Sequence, residues 1–268
     1  MESQAEQGSA AAPGELTRLL PSASAPFMEG ALDNPGITPA HVLLILRSPR
    51  LTPALIGRIA SRRGWLSIDR IRACLALHPR TPRRITFLLL PLLGWRHLAS
   101  IAEHPRLDPR VRRMAEQRIA GSLGELAQGE RISLARIAGR GLIAPLCEDD
   151  SPRVIGALLR NPRILENDVL RLIARRTAPA PVLQTVADDE RFGRRREIQK
   201  GIVRHPSTPS PVALRLLRFL SEGDLRELLR APGLPRLIEI AASRLVRDSP
   251  AGGDSGGFSG APAAPPDQ

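Results

Sequence analysis

The sequence predicts an all-α fold, a right-handed α-solenoid of about 14–16 short helices in two duplicated modules with disordered tails. Three observations predict it. The chain laid over itself with 28 against 155 matches along the whole of 28–107 and 155–234 without a gap. Helix-start signals recur at an almost even beat through the first copy. Aromatic residues make up only 3% of the chain and Tyr is absent, so Leu, Ile, Val and Ala must do the packing. That suits short helices better than a β-sandwich, which draws on aromatic and β-branched side chains.

In chain order, residues 1–30 are rich in Ala, Ser, Gly, Glu and Pro. They read as a disordered N-terminal tail, with Gly14 to Leu20 a transient helix at most. Residues 31–119 read as helical repeat module 1. Helix starts fall near Pro39, Pro53, Ile68, Pro82, Trp95 and Pro109, behind N-caps at Thr38, Thr52, Ser67, Thr81, Gly94 and Asp108. The segment His78-Pro79-Arg80-Thr81-Pro82 compresses a stop and a start into one turn. Pro79 ends the helix before it, Thr81 is placed to cap the next one, and Pro82 suits a first helical position. A beat of this length leaves short helices that cannot stand alone in water, so neighbouring repeats must cover their apolar faces.

Residues 120–154 collect Gly121, Gly124, Gly129, Gly139 and Gly141 and read as a Gly-rich helical connector with a hinge. Within it, 133–139 and 151–160 keep helical patterning. Residues 155–247 read as module 2, where His205-Pro206-Ser207-Thr208-Pro209 repeats the stop-and-start and Ser221 with Asp224 makes a capping box. A single deletion after Pro232 lays Pro235, Ala241 and Arg244 on Pro109, Ala115 and Arg118. Residues 248–268 read as a second disordered tail.

The formal net charge is +12, and of the 39 basic residues all but Lys200 are Arg. Module 1 is the more basic, with 16 Arg against 5 acids between residues 30 and 119. Arg83, Arg84, Arg110, Arg112 and Arg113 stand at helix starts, where a cation opposes the helix dipole but helps the free amides hold an anion. With Arg80, Trp95 and Arg96 they form the candidate partner or anion surface. Trp95 aligns with Glu222, so its slot is expected to be exposed. Trp65 aligns with Phe192 and reads as a structural plug.

No catalytic, cofactor or metal residue is read. His78, His104 and His205 precede prolines in a slot that elsewhere holds Asn34, Ser48, Ser151, Asn161 or Ala231, which marks a polar helix end rather than a ligand set. Cys74 and Cys147 form no C-x-x-C, and Cys147 sits beside Glu148-Asp149-Asp150, which disfavours a thiolate. The runs Glu148-Asp149-Asp150 and Asp188-Asp189-Glu190 read as solvated turns. No stretch suits a membrane span or a signal peptide, so a cytoplasmic location is expected.

The repeated Asn/His-Pro-Arg-x-Thr-Pro starts, the short Leu/Ile/Ala-rich helices and the segment Asp150-Ser151-Pro152-Arg153-Val154 resemble the leucine-rich-repeat-variant and HEAT-like α-solenoids of bacteria, over roughly 31–247. That resemblance implies a binding surface rather than an enzyme. The leading expectation is a non-enzymatic scaffold for an unknown protein partner. The alternative is an Arg-rich solenoid that binds nucleic acid or another polyanionic surface.

Overall fold

Proline and short polar turns interrupt the chain so often that its longest described helix has 14 residues. In a computed structural model, which describes residues 3–248, the chain forms nineteen α-helices, with no strand among the described residues. They are α1 (Gln4–Ala10), α2 (Pro13–Leu19), α3 (Ala25–Asp33), α4 (Pro39–Arg47), α5 (Pro53–Ser61), α6 (Arg63–Leu66) and α7 (Asp69–Leu77). Next come α8 (Arg83–Leu89), α9 (Trp95–Ala102), α10 (Pro109–Ser122), α11 (Gln128–Ile137), α12 (Arg140–Leu146) and α13 (Pro152–Leu159). The last six are α14 (Glu166–Ala174), α15 (Ala180–Ala187), α16 (Arg196–Arg204), α17 (Ser210–Leu217), α18 (Glu222–Arg230) and α19 (Arg236–Asp248).

The chain divides into two compact units, Met1–Asp168 and Val169–Gln268. Inside each, a helix packs on its next neighbour along the chain and also on its second neighbour. In the first unit α1 meets α3, α2 meets α4, α3 meets α5, α7 meets α9, α8 meets α10 and α11 meets α13. The single-turn α6 is skipped, so α4 meets α7. In the second unit α15 meets α17, α16 meets α18 and α17 meets α19. Apolar stripes are thus covered by helices one or two elements away. Ile56, Ile59, Ile71 and Leu75 are fully buried in the first unit, as are Val182, Ile198 and Ile202 in the second.

The expected N-terminal tail is overturned. Residues 4–33 form α1, α2 and α3, with Leu16, Leu20, Met28 and Leu32 fully buried. Helix α1 has few apolar residues, but it is short of bulk too. A methyl group at Gly30 would run into the Ala5 carbonyl, and one at Gly8 into that of Phe27, so α1 and α3 approach backbone to backbone. Close packing there supplies what side-chain area does not. These three helices also raise the helix number above the expected 14–16.

They are not an addition to the repeat but its beginning. In the register that sets 28 on 155, α2 coincides with α12 end to end, and α1 and α3 fall on α11 and α13. The side chains keep the register. Asn34 Nδ2 donates to the Gly8 and Ala11 carbonyls, at 3.1 and 2.8 Å, and Asn161 Nδ2 to those of Ala135 and Ala138, at 2.8 and 3.0 Å. Ser24 and Ser151 both accept from the amide three residues on. The region read as connector, 120–154, thus contains the first helices of the second copy, and it lies wholly within the first compact unit. The register also runs on to the end without the expected deletion. Helix α19 begins at Arg236, the position that matches Pro109 at the start of α10, and buried Val111 and Ala115 coincide with buried Ile238 and Ala242. The expected C-terminal tail, apart from Asp248 at the end of α19, lies outside the described residues.

Helix starts at Pro39, Pro53, Trp95 and Pro109 stand where the sequence puts them, and those near Ile68 and Pro82 fall one residue later. Thr52 and Asp108 accept cap bonds from Leu55 N and Arg110 N. Thr81 does not cap α8. Its Oγ1 donates 2.6 Å to the Leu75 carbonyl, back into the helix that has just ended, and Thr208 does the same to Ile202. Ser67 likewise turns back, to Gly64 O. The last carbonyls of a short helix lack their usual donor four residues on; those of Leu75 and Ile202 accept from the His78 and His205 amides and take the threonine hydroxyl as a second donor.

Candidate interaction surface

Two classes of polar residue separate in the structure, those that hold one turn to another and those left facing outward. The helix-end slot belongs to the first. His78 Nδ1 accepts from Arg80 N, His104 Nδ1 from Arg106 N and His205 Nδ1 from Ser207 N, at 3.1 to 3.3 Å. Asn34, Asn161 and Ser48 accept from the amide two residues on in the same manner. A side-chain acceptor that reaches over the proline closes the turn, which is why His, Asn and Ser interchange there. Burial lowers the His78 pKa, with the Arg80 charge adding to it, so the neutral acceptor is the favoured form.

Arginine does similar work over longer range. Arg50 Nη1 donates to the Ser22 carbonyl at 2.9 Å. Arg80 Nη1 donates to those of Pro49 and Leu51, at 2.9 and 2.8 Å. Arg62 reaches the Leu32 carbonyl, and His205 Nε2 lies 2.9 Å from Arg175 O. Each turn therefore grips the turn roughly one helix pair earlier. Carboxylates take part as well. Arg140 binds buried Asp168, and Arg196 binds buried Asp224; in both cases the first residue of one helix holds the third residue of the second helix onward. The Arg196 hydrogen bond draws the Asp224 carboxyl down to about 2, aided by Ser221. Lys200, the chain's single lysine, is buried in the same cluster 2.6 Å from Glu227 and 3.7 Å from Asp224, and the Glu227 contact raises its pKa.

These bonds sort the sequence-predicted surface. Arg80, expected to be free to contact a partner, spends its guanidinium on two carbonyls of the preceding turn. Arg83 Nε lies 3.0 Å from Asp108 Oδ2 and pins the start of α8 to that of α10. Arg112 is half-buried. Trp95 is half-buried rather than exposed, and its Nε1 donates 2.9 Å to Glu130 Oε1. That bond is the main cause of the lowered Glu130 pKa. Arg96 stands over the Trp95 ring at 5.4 Å from its centroid. Arg84, Arg110 and Arg113 are exposed and have no side-chain partner among the described residues.

The acidic runs are also used within the fold. Asp149 pairs with Arg131 at 2.8 Å and accepts from Ser151 N. Asp188 pairs with Arg215, while Asp189 accepts from the amides of Arg191 and Phe192. Cys147 is buried, its Sγ 3.8 Å from the Asp168 carbonyl, and Cys74 is half-buried.

What sequence reasoning missed is a groove between α17 and α19. It encloses about 320 Å³ and is lined by Leu214, Leu217, Leu237, Ile240, Ala241 and Leu245, with Arg218 and Arg244 at its edges. Leu237 is 52% exposed and Ile240 45%. The ungapped register gives their counterparts in the first copy as Arg110 and Arg113, and that of Leu245 as Arg118. The expected deletion conceals that exchange, because it sets Leu237 against buried Val111. Exposed Leu88 and Leu92 accompany Arg84 in the first copy. The Arg118 guanidinium reaches the Pro91 carbonyl at 3.4 Å, which ties α10 to the chain between those two leucines.

Among the described residues no helix is long and apolar enough to cross a membrane. Comparison with protein-family models, curated proteins and solved structures finds no match.

Proposed function

We propose that the chain is a non-enzymatic helical-repeat scaffold, an α-solenoid in local construction, that binds a protein partner through outward-facing side chains. One observation carries this reading. Between the two copies the Asn34 and Asn161 bonds and the Thr81 and Thr208 bonds are kept, while the α8/α10 face and the α17/α19 face differ, one basic and one apolar. A framework held constant beneath surfaces free to diverge is the construction of repeat proteins, whose function lies in the surface presented. The helix-to-second-neighbour packing and the resemblance to bacterial leucine-rich-repeat-variant and HEAT-like proteins agree with it.

The test is capture of partners by the full chain from a cell lysate, with cross-linking and mass spectrometry to locate the contacts. Cross-links concentrated on exposed positions of α8, α10, α17 and α19 support the scaffold. Turnover of a small molecule in a substrate screen, without any stable partner, overturns it.

A second reading has its own observation. Arg84, Arg110 and Arg113 are exposed and unpaired among the described residues, and α8 and α10 pack together. They suit a nucleic acid or another polyanion. Such binding weakens steeply with salt, so a mobility shift measured at low and at physiological salt, with the R84E/R110E/R113E variant as control, decides it. The structure weakens this reading in one respect, since Arg80 and Arg83 are already committed within the fold.

A further inference from the structure

The geometry points to the α17–α19 groove as the seat of an acidic amphipathic helix supplied by a protein partner. This deepens the scaffold reading and rests on it. The floor is apolar and belongs to two helices packed against each other, with Leu214 and Leu217 on α17 and Leu237, Ile240, Ala241 and Leu245 on α19. On α19 these residues follow the spacing i, i+3, i+4 and i+8, which keeps them along one side of the helix. A groove between two helices with such a stripe along one wall is the usual receptor for a third, whose own apolar positions recur at three and four residues.

The apolar character is not imposed by folding. At the equivalent positions the first copy has Arg110, Arg113 and Arg118 in a helix with the same start and the same buried positions, Val111 and Ala115. The backbone therefore tolerates charge at Leu237, Ile240 and Leu245, and their hydrophobicity calls for another cause. Exposed leucine and isoleucine gathered at one cleft mark an interaction site.

Charge selects the occupant. Arg218 and Arg244 edge the groove, are exposed, and have no side-chain partner among the described residues. Nearby on α19, Arg236 and Arg247 add positive charge, against Glu239 and Asp248. From Val169 to Asp248 there are sixteen basic side chains against nine acidic ones, a net of +7. A partner helix with leucines toward the groove and carboxylates flanking them satisfies both features, and a basic one is repelled.

The probe is a synthetic fluorescent peptide with leucine at i, i+3, i+4 and i+7 and a mixture of glutamate and alanine elsewhere. Anisotropy is read against the full chain, L237Q/I240Q and R218E/R244E, after melting curves establish that the variants fold. Saturable binding is expected, weakened at least about ten-fold by either variant and abolished when the peptide's glutamates become lysines. Equal binding of a scrambled peptide, or no binding, overturns the proposal. So does concentration-dependent self-association lost in L237Q/I240Q, which would make a second copy the occupant. So does binding that emerges only in F258D, which would make the chain's own residues beyond Asp248 the occupant. If the peptide fails while captured partners still cross-link elsewhere on the repeat, the scaffold reading stands and the groove assignment alone falls.

Discussion

The exchange of Asn, His and Ser in one turn slot shows how little the identity of a residue says until its bond is known. Each presents an acceptor two residues before an amide, and that is all the slot requires. Asp224 is more demanding. It is 1% exposed and its carboxyl is held at a pKa of about 2 by Arg196. The folded state therefore binds fewer protons than the unfolded state between roughly pH 4 and pH 2, and stability falls as pH drops through that window. The depressed pKa of this buried carboxyl contributes on the order of 2 kcal/mol above it. Urea denaturation of wild type and D224N across pH 2 to 6 should show the wild type steeper over this range; parallel curves would remove Asp224 as the source.

Thr81 and Thr208 make a paired test at the same scale. Each hydroxyl donates to a carbonyl six residues back. Replacing either by Ala should lower stability by about 1 kcal/mol, the ordinary net value of one intramolecular hydrogen bond. Nuclear magnetic resonance should place the disturbance at the end of α7 or α16. A disturbance centred on the first turn of α8 or α17 would restore the capping role read from the sequence. Threonine before proline was legible as a helix boundary, but not which side of the boundary it serves, because one hydroxyl can accept from an amide ahead or donate to a carbonyl behind.

At the scale of the element, the prolines at positions 39, 53 and 109 were the safest signals. A ring that fixes φ and lacks a donor fits the first helical turn and little else. The helices α1 to α3 were the least legible. Apolar residues are sparse in α1, and its close packing on α3 is between glycines and backbone, which no hydropathy pattern registers. A signal existed all the same, since Asn34 and Ser24 each have a counterpart in the second copy, in Asn161 and Ser151. Following that register toward the N-terminus would have found three helices. Gly30→Leu should force α1 from α3 and cost about 1–3 kcal/mol as an overpacking change. Hydrogen exchange should then quicken throughout residues 4–33; unchanged protection of α1 would contradict the close crossing. The candidate surface was half legible for a related reason. Sequence shows where arginines are, but not that Arg80 and Arg83, though exposed, are held by partners well beyond the neighbouring helix in sequence.

At the scale of the whole chain, the turn-to-turn bonds join residues only about one helix pair apart, whether through Asn34, Arg80, Asn161 or His205. Contacts of such short sequence separation close small loops, which makes folding fast and local. They also leave little to couple distant helices to one another. Under tension, helices tied in this way have no single fastening to break among the described residues. Held in an optical trap, the chain should lengthen in a series of small increments, each releasing about one helix pair, rather than in one rupture. Relaxed, it should recover those increments one at a time. The protein would then behave less as a rigid block than as a spring, able to lengthen under load and take up its slack again.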